Sequence, residues 1–305
     1  MLVIKCETGI RFRMDNSMNI RVENFDELVK QEWNYPVLDG NKCGTQLSVC
    51  AADADVAGSA RYTHDIDRIK DFPDARSVSV FGLDQETFEY FIRNYGRQFR
   101  YIRFFRNKCV EDWSLLGTLP DLECVYWYVN QKISNLWDMS NNKALKAVVL
   151  DDFTKLHDIS GVEKTPSLEW FGFGNAVWNS AEIDSLRPLV GTDIRRIDFF
   201  GKKIKDMDIS FIPQLKKLEV FGFPTNLFTT EEVAWLKAKC PELGGYSMKP
   251  YIEFETFNEE TKKTDVPAVI IVGKRKPVLI VEGNEKKIEG FVRKFDLLVE
   301  KYRNE

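Results

Sequence analysis

Histidine is scarce in this chain, and the patterns that build metal or cofactor sites are missing. The 305 residues include only His64 and His157, and the six cysteines contain no C-x-x-C pair. That leaves little from which to build a four-ligand zinc site. No isolated glycine lies in a phosphate-loop or dinucleotide-binding pattern. We therefore predict no metal ion, no cofactor and no catalytic constellation.

Long apolar runs and a strong net charge are also missing. No stretch approaches the about 20 apolar residues that cross a bilayer, and the N terminus MLVIKCETGIRFRMDN does not have the composition of a secretion signal. The net charge is only −4, and the strand arginines are interleaved with carboxylates. A binder of nucleic acid needs many clustered cations. We therefore predict a cytoplasmic protein with reduced cysteines that binds neither membranes nor nucleic acid.

A repeated apolar pattern dominates the middle of the chain. Each copy has apolar residues at positions one, four and six, and the copies begin 21 to 26 residues apart. Such a repeat predicts strands that bury their inward side chains only by stacking on the next copy, which is a solenoid. The second half of each copy has apolar residues three apart, which favours short helical or 3₁₀ returns. The first positions are Ala75, Phe99, Leu122, Leu145, Leu168, Ile194 and Leu215.

One copy carries a longer pattern, formed by Leu122, Val125, Trp127, Asn130, Ile133, Leu136 and Met139. This pattern resembles the short leucine-rich repeats of bacterial proteins, and the resemblance covers about residues 75–243. It implies an α/β solenoid with a parallel sheet on its concave face. Asn107 fills the asparagine position of the preceding copy. The other copies depart there, which implies a shorter asparagine ladder; they hold Leu83, Phe153, Ala176, Lys202 and Phe223.

The flanks of the repeats predict two further segments. Residues 1–74 indicate an N-terminal α+β element, with strands at LVIKC and IRFRM, a short helix from Asn24, and a loop from Asp39 to Ser59. The repeats end at 243 with a helix capped by Thr229 or Thr230. Residues 244–305 indicate a β-hairpin-plus-helix cap, with strands at YIEFETF, VPAVIIVG and KPVLIVEG before an amphipathic helix. The predicted domains are therefore 1–74, 75–243 and 244–305.

Positions three, five and seven of each strand predict the concave face. Five of the seven residues at position seven are aromatic, and aromatic residues and arginine are enriched where proteins bind each other. We therefore predict a non-catalytic protein-binding module. Three alternatives stay open. The aromatic row is covered by the chain's own termini, or the repeats are a scaffold for a ligand-binding or enzymatic site in residues 1–74 or 250–305, or the protein has a purely structural role in a larger assembly. The predicted partner-binding residues are Tyr101, Arg103, Phe105, Tyr126, Tyr128, Trp170, Arg196, Phe200 and Phe221.

Overall fold

A computed structural model of the protein describes residues 47–50, 66–174, 181–258 and 263–305. The described residues belong to two compact units. The N-terminal unit includes the described residues up to 197 together with 201–208, and the C-terminal unit includes 198–200 and 209–305. The predicted strands LVIKC and IRFRM and the helix from Asn24 lie outside the described residues. The boundary between the two units falls within the predicted solenoid. The predicted domain boundaries stay predictions.

Parallel strands, one from each repeat, build the N-terminal unit. They are β1 (Leu47–Cys50), β2 (Ser77–Phe81), β3 (Tyr101–Phe105), β4 (Cys124–Asn130), β5 (Ala147–Phe153) and β6 (Trp170–Gly174). Each strand from β2 to β5 pairs with the strand that follows it, in a register that aligns equivalent repeat positions, such as Val78 with Ile102 and Ile102 with Val125. This register confirms the predicted parallel sheet.

The sheet continues beyond β6. The amides of Arg195 and Arg196 donate to the carbonyl oxygen of Glu169 at 2.7 and 2.9 Å, which places the start of β8 (Arg196–Phe200) beside β6. A separate parallel pair is formed by β7 (Glu182–Ile183) and β9 (Lys203–Ile204).

Strand β1 corrects the predicted loop from Asp39 to Ser59. Leu47 pairs opposite Val78 and Val49 opposite Val80, so the strand occupies positions four and six of an additional repeat. Position one of that repeat is Gly44, 31 residues before Ala75. A glycine at the first position and a long spacing remove the two signals by which the other copies are found in the sequence.

Most of the returns between strands contain short helices, as predicted. Residues 131–146, between β4 and β5, form turns without a helix, so the prediction is wrong for that return. In the N-terminal unit, 3₁₀ helices occupy Gly96–Gln98, Ser114–Thr118, Val162–Lys164 and Arg187–Leu189, and another precedes β2 at Arg68–Asp71. The return after β2 instead begins with a full helix, α1 (Gln85–Tyr95). Asp84 starts this helix because its carboxylate accepts a hydrogen bond from the Thr87 amide at 3.0 Å. The helix buries Phe88 and Phe91 against the sheet.

The inner face of the sheet covers an aromatic core, so much of the aromatic surplus serves packing. Trp127 is fully buried, and its ring stacks on Phe104 at 4.2 Å and contacts Trp113 at 5.6 Å. Fully burying a large apolar side chain contributes about 1.5–3 kcal/mol, so each repeat gains its stability from the neighbours that cover it.

Buried asparagines tie the repeats together at the strand exits. The Asn107 side chain accepts from the Leu83 amide at 2.6 Å and donates to the Val80 carbonyl at 3.0 Å. One repeat later, the Asn130 amide donates to the carbonyls of Asn107 and Val110 in the preceding repeat, and its oxygen accepts from the amides of Lys132 and Ile133 in its own repeat. This confirms a short asparagine ladder at the two predicted positions. The buried Asn142 adds a link that was not predicted. Its side-chain amide donates hydrogen bonds to two backbone carbonyls of the preceding return, those of Leu116 and Leu119.

The C-terminal unit contains the end of the repeats and the predicted cap. Ile212–Gln214 is a 3₁₀ helix, β10 spans Val220–Gly222, and α2 (Thr230–Lys239) begins at Thr229, whose hydroxyl accepts from the Glu232 amide at 3.1 Å. The antiparallel strands β11 (Tyr251–Asn258), β12 (Lys263–Ile271) and β13 (Val278–Ile280) then form a sheet. Helix α3 (Glu285–Asn304) packs against α2 and buries Ile288, Phe295 and Val299. The predicted strands and helices of this region are confirmed.

Candidate protein-binding surface

The strand register brings the predicted outward residues of neighbouring repeats side by side. Arg103 on β3 lies opposite Tyr126 on β4, and Phe105 lies opposite Tyr128. Phe81 precedes Phe105 in the same row, with ring centroids 5.2 Å apart. Residues that are 23 or 24 positions apart in sequence therefore become direct neighbours on the outer face of the sheet.

Four of these residues form one cluster, which we call the aromatic–arginine patch: Arg103, Phe105, Tyr126 and Tyr128. The guanidinium carbon of Arg103 lies 5.5 Å from the Phe105 ring centroid and 5.2 Å from that of Tyr126. Phe105 stacks on Tyr128 at 4.9 Å. All four side chains are half-buried, so each has surface left for contact with another molecule. Contacts between a cation and a ring contribute about 0.5–1 kcal/mol at exposed sites and hold the side chains in place.

Two tyrosine hydroxyls orient carboxylates beside the patch. Tyr126 donates to the Asp151 carboxylate at 2.8 Å, and Tyr101 donates to the Glu123 carboxylate at 2.7 Å. Arg100 pairs with the same Glu123 at 3.2 Å. The outer face therefore carries both signs of charge in defined positions.

Two predicted residues of the face offer less surface than expected. Tyr101 and Trp170 are each only 6% exposed. Arg196 is half-buried, and its guanidinium carbon lies 5.1 Å from the Trp170 ring centroid. Whether the chain's first residues cover the outer face concerns positions 1–46 and 51–65, which lie outside the described residues.

The last two predicted residues lie in the C-terminal unit, and Phe221 is a correction. Phe221 is fully buried, with its ring 4.9 Å from Phe223 and 6.0 Å from Phe228. Position seven of this repeat is therefore a core position, and the prediction that Phe221 faces a partner is wrong. Phe200 is half-buried and stacks on Tyr246 at 5.9 Å.

The chain after α2 pairs along β10, while the rings of Phe223 and Phe228 pack against the buried Phe221 ring. The Phe221 amide donates to the Gly244 carbonyl at 2.9 Å, so the segment after α2 pairs with β10 as a further strand would. A side chain at Gly245 would come within 2.2 Å of the Phe221 carbonyl oxygen. The apolar periodicity of the sequence continues through this repeat and does not indicate that the segment after α2 pairs with β10.

Sequence reasoning missed Arg106, which lies beside the patch. Its guanidinium carbon lies 5.6 Å from the Phe105 ring centroid, and the side chain is exposed. Arg106 takes position eight of its repeat and has a φ of 56°, where the preceding repeat has Gly82 with a φ of 67°. The sequence contained one signal for this: Arg106 takes the same repeat position as Gly82, so an arginine stands where the preceding repeat has a bend-forming glycine.

The described residues provide little for catalysis. Across residues 66–174, 181–258 and 263–305, no group of three or more His, Cys, Asp and Glu side chains is placed to hold a metal ion. Cys109, Cys124 and Cys240 are free thiols, and burial raises the pKa of Cys124 well above its ordinary value. His157 Nδ1 lies 2.9 Å from the Glu182 carbonyl, to which it donates. In the described part of the chain, no helix combines the length and apolarity needed to cross a membrane.

In the region of the predicted alternative, a ligand site in residues 250–305, the structure has a groove of about 390 Å³ beside α3. Tyr251, Ile288, Val292 and Leu297 form its apolar part, and exposed charged residues of α3 line the rest. A small-molecule site is usually enclosed and has buried polar groups that converge on the ligand. This groove is open, so its geometry does not favour an enzymatic or ligand-binding site.

The parallel strands in register, the short helical returns and the buried asparagines together define the fold. It is a leucine-rich-repeat solenoid. No family model and no curated protein matches the chain. Among solved structures, an internalin from Listeria monocytogenes is similar, with 16% identity and a TM-score of 0.39 over 64% of this chain and 53% of its own. A leucine-rich-repeat protein of Leptospira interrogans has 15% identity and a TM-score of 0.31 over 55% of this chain and 34% of its own. The chain thus spans about half of the first and a third of the second.

Proposed function

We propose that this protein is a non-catalytic module that binds a protein partner on the outer face of its N-terminal sheet. The observation that carries the proposal is the aromatic–arginine patch, in which Arg103 stacks between Phe105 and Tyr126 across two strands. The predicted cytoplasmic location belongs to the same proposal.

The chemistry of the patch favours a protein as the ligand. Tyrosine, phenylalanine and arginine are enriched at the centres of protein interfaces, where they give large contact areas with few rotatable bonds. Stacking and the hydrogen bond from Tyr126 to Asp151 already fix these side chains. Binding therefore loses less side-chain entropy than it would with mobile residues.

A crosslinking experiment tests the proposal in the native cell. A photoreactive phenylalanine analogue replaces Phe105 in one variant and Tyr90 in a control; Tyr90 is a half-buried aromatic residue on α1, in the same unit. We expect a partner that crosslinks from position 105 and not from position 90, identified by mass spectrometry. The same products from both positions would contradict the proposal.

A substitution experiment then tests the energetic role of the patch. Replacing both Phe105 and Tyr128 with alanine removes two partly exposed rings, and we expect the affinity for the crosslinked partner to fall at least tenfold, about 1.4 kcal/mol. The melting temperature should drop by only a few degrees, because neither ring is a core residue. Unchanged affinity in the double variant would rule out the patch as the binding surface.

A further inference from the structure

One flank of helix α3 forms a wall of the open groove in the C-terminal unit. The helix packs Ile288 against the apolar cluster of β12 and β13, and on another side Lys294 pairs with Glu231 of α2 at 3.4 Å. The groove lies along a third side, next to Tyr251 of β11. Its lining extends from Ile288 to Glu300, which in a helix corresponds to about 18 Å. An open groove of this length suits a segment of another protein, which keeps one side in solvent, better than a small molecule.

The apolar part of the groove reaches the solvent. Tyr251 and Val292 are half-buried, and Leu297 is 60% exposed. Among the large apolar side chains of the described residues, only Val278 is exposed to a similar degree, at 55%. Leu297 is continuous with the other apolar residues of the groove. A partner that covered these side chains would remove apolar surface from water, which favours binding.

Carboxylates dominate the charge of the groove. Their spacing along α3, three or four residues from one charged position to the next, places them on one stripe of the helix. Glu253 adds an exposed carboxylate on the sheet face that carries Tyr251, because alternate residues of a strand face the same side. Three carboxylates and one guanidinium line the groove, all of them exposed and with a net charge of −2: Glu289, Asp296, Glu300 and Arg293.

The unit does not neutralise these carboxylates. The ion pairs of α3 involve Lys294 and Lys301, which lie on the other side of Leu297. Among the described residues, none of the three groove carboxylates has an ion-pair partner. Asp296 and Glu300 are four residues apart, and like charges at this spacing destabilise a helix. A basic ligand would relieve this repulsion, whereas an acidic ligand would increase it.

We propose that this groove binds a basic amphipathic helix of a protein partner. An apolar side chain of that helix packs against Leu297 and Tyr251, and its lysines or arginines lie opposite the groove carboxylates. Amphipathic helices bind apolar grooves through residues three or four positions apart, the spacing that the α3 stripe also has. A second copy of this chain suits the groove less, because its own α3 stripe is acidic and would be repelled. The proposal assigns a second binding surface and does not depend on the aromatic–arginine patch.

The test uses the full chain and measures the fluorescence anisotropy of labelled helical peptides of about 12 residues, the length of the groove. One peptide has a leucine face and a lysine face; a Leu–Glu peptide and a Ser–Lys peptide of the same spacing serve for comparison. We expect only the Leu–Lys peptide to bind. Leu297→Gln should weaken this binding at physiological ionic strength without unfolding the protein, because the side chain is exposed.

A pair of double variants tests the charges. Asp296→Asn with Glu300→Gln should weaken the binding of the Leu–Lys peptide at least tenfold. The melting temperature should stay the same or rise, because the repulsion along α3 is removed. The matched control is Glu242→Gln with Glu282→Gln, which removes two exposed carboxylates of the same unit outside the groove. This control should bind like the parent protein.

Several outcomes would overturn the proposal. These are the absence of Leu–Lys binding, equal binding of either comparison peptide, or the same affinity in the two double variants. Self-association of the parent protein in sedimentation velocity that Leu297→Gln abolishes would assign the groove to a second copy, and this result would also overturn the proposal. Crosslinking from Phe105 tests a different surface, so the proposed function stands or fails independently.

Discussion

The Asn130 side chain connects two consecutive turns of the solenoid, so its replacement should be among the most destabilising single changes in the N-terminal unit. The side chain is fully buried. Its amide donates to the carbonyls of Asn107 and Val110 at 3.1 and 3.0 Å, and its oxygen accepts from the amides of Lys132 and Ile133, both at 2.8 Å. All four partners are backbone groups at the strand exit.

The expected loss in the free energy of unfolding follows from the backbone groups that Asn130→Ala leaves without a hydrogen-bond partner. Three of the four hydrogen bonds are buried, and each buried backbone group left unsatisfied costs about 1–3 kcal/mol. Some of these groups will regain a partner from water that enters the vacated space. We therefore expect a loss of about 3–5 kcal/mol, which is a large part of the stability of an ordinary domain.

Urea unfolding followed by tryptophan fluorescence measures this loss. Asn130→Leu fills a similar volume without hydrogen bonds, so it should be as destabilising as Asn130→Ala. Asn135→Ala is the matched control, because this exposed side chain bonds only Ser134 Oγ, at 3.1 Å, and its loss should cost less than about 0.5 kcal/mol. A leucine variant as stable as the parent would show that packing, and not hydrogen bonding, accounts for the role of Asn130.

Further predictions concern glycines, a thiol and a phenol. Gly290→Ala should raise stability by about 0.5–1 kcal/mol in thermal melts, because the added Cβ meets open space inside α3. Gly161→Ala also meets open space, but its φ of 101° should make it lower stability by about 1–2 kcal/mol, and equal melts for the two variants would contradict this reasoning. Peptide mapping after iodoacetamide treatment of the folded protein should find Cys109 alkylated and Cys124 protected, since Cys124 is buried and its pKa is raised. Burial and a 2.6 Å hydrogen bond to Asp67 raise the pKa of Tyr95, so its contribution to stability is complete below about pH 10 and is lost as the pH rises further. Urea unfolding across this range should show a smaller alkaline loss in Tyr95→Phe, and an identical loss would refute the assignment.

The strand positions could be predicted because the spacing of apolar residues in each repeat indicates which side chains face inward. Val125 and Trp127 point inward because alternate residues of a strand face opposite sides, and the next copy must supply what covers them. The register of β2 to β6 follows directly from this pattern. Strand β1 was not predicted because Gly44 stands where the other repeats have an apolar residue at the first position.

The candidate surface could be predicted only in part. Phe105 and Tyr128 are half-buried on the outer face, as expected, whereas Phe221 is a core residue whose ring packs against Phe223 and Phe228. No local pattern distinguishes these aromatic residues, since all three occupy position seven of their repeats. Arg106 lies beside the patch, at a left-handed bend that its residue type does not favour.

By itself, the sequence determined the repeat, the alternation of strand and return, and the set of residues that face outward. These properties depend on spacing along the chain, which governs side-chain direction and the need for a stacked neighbour. Only the tertiary structure decided which outward residues remain accessible and which cations meet on Phe105. The accessibility of a residue depends on segments distant in sequence that pack over it. The repeat pattern around that residue does not reveal such contacts.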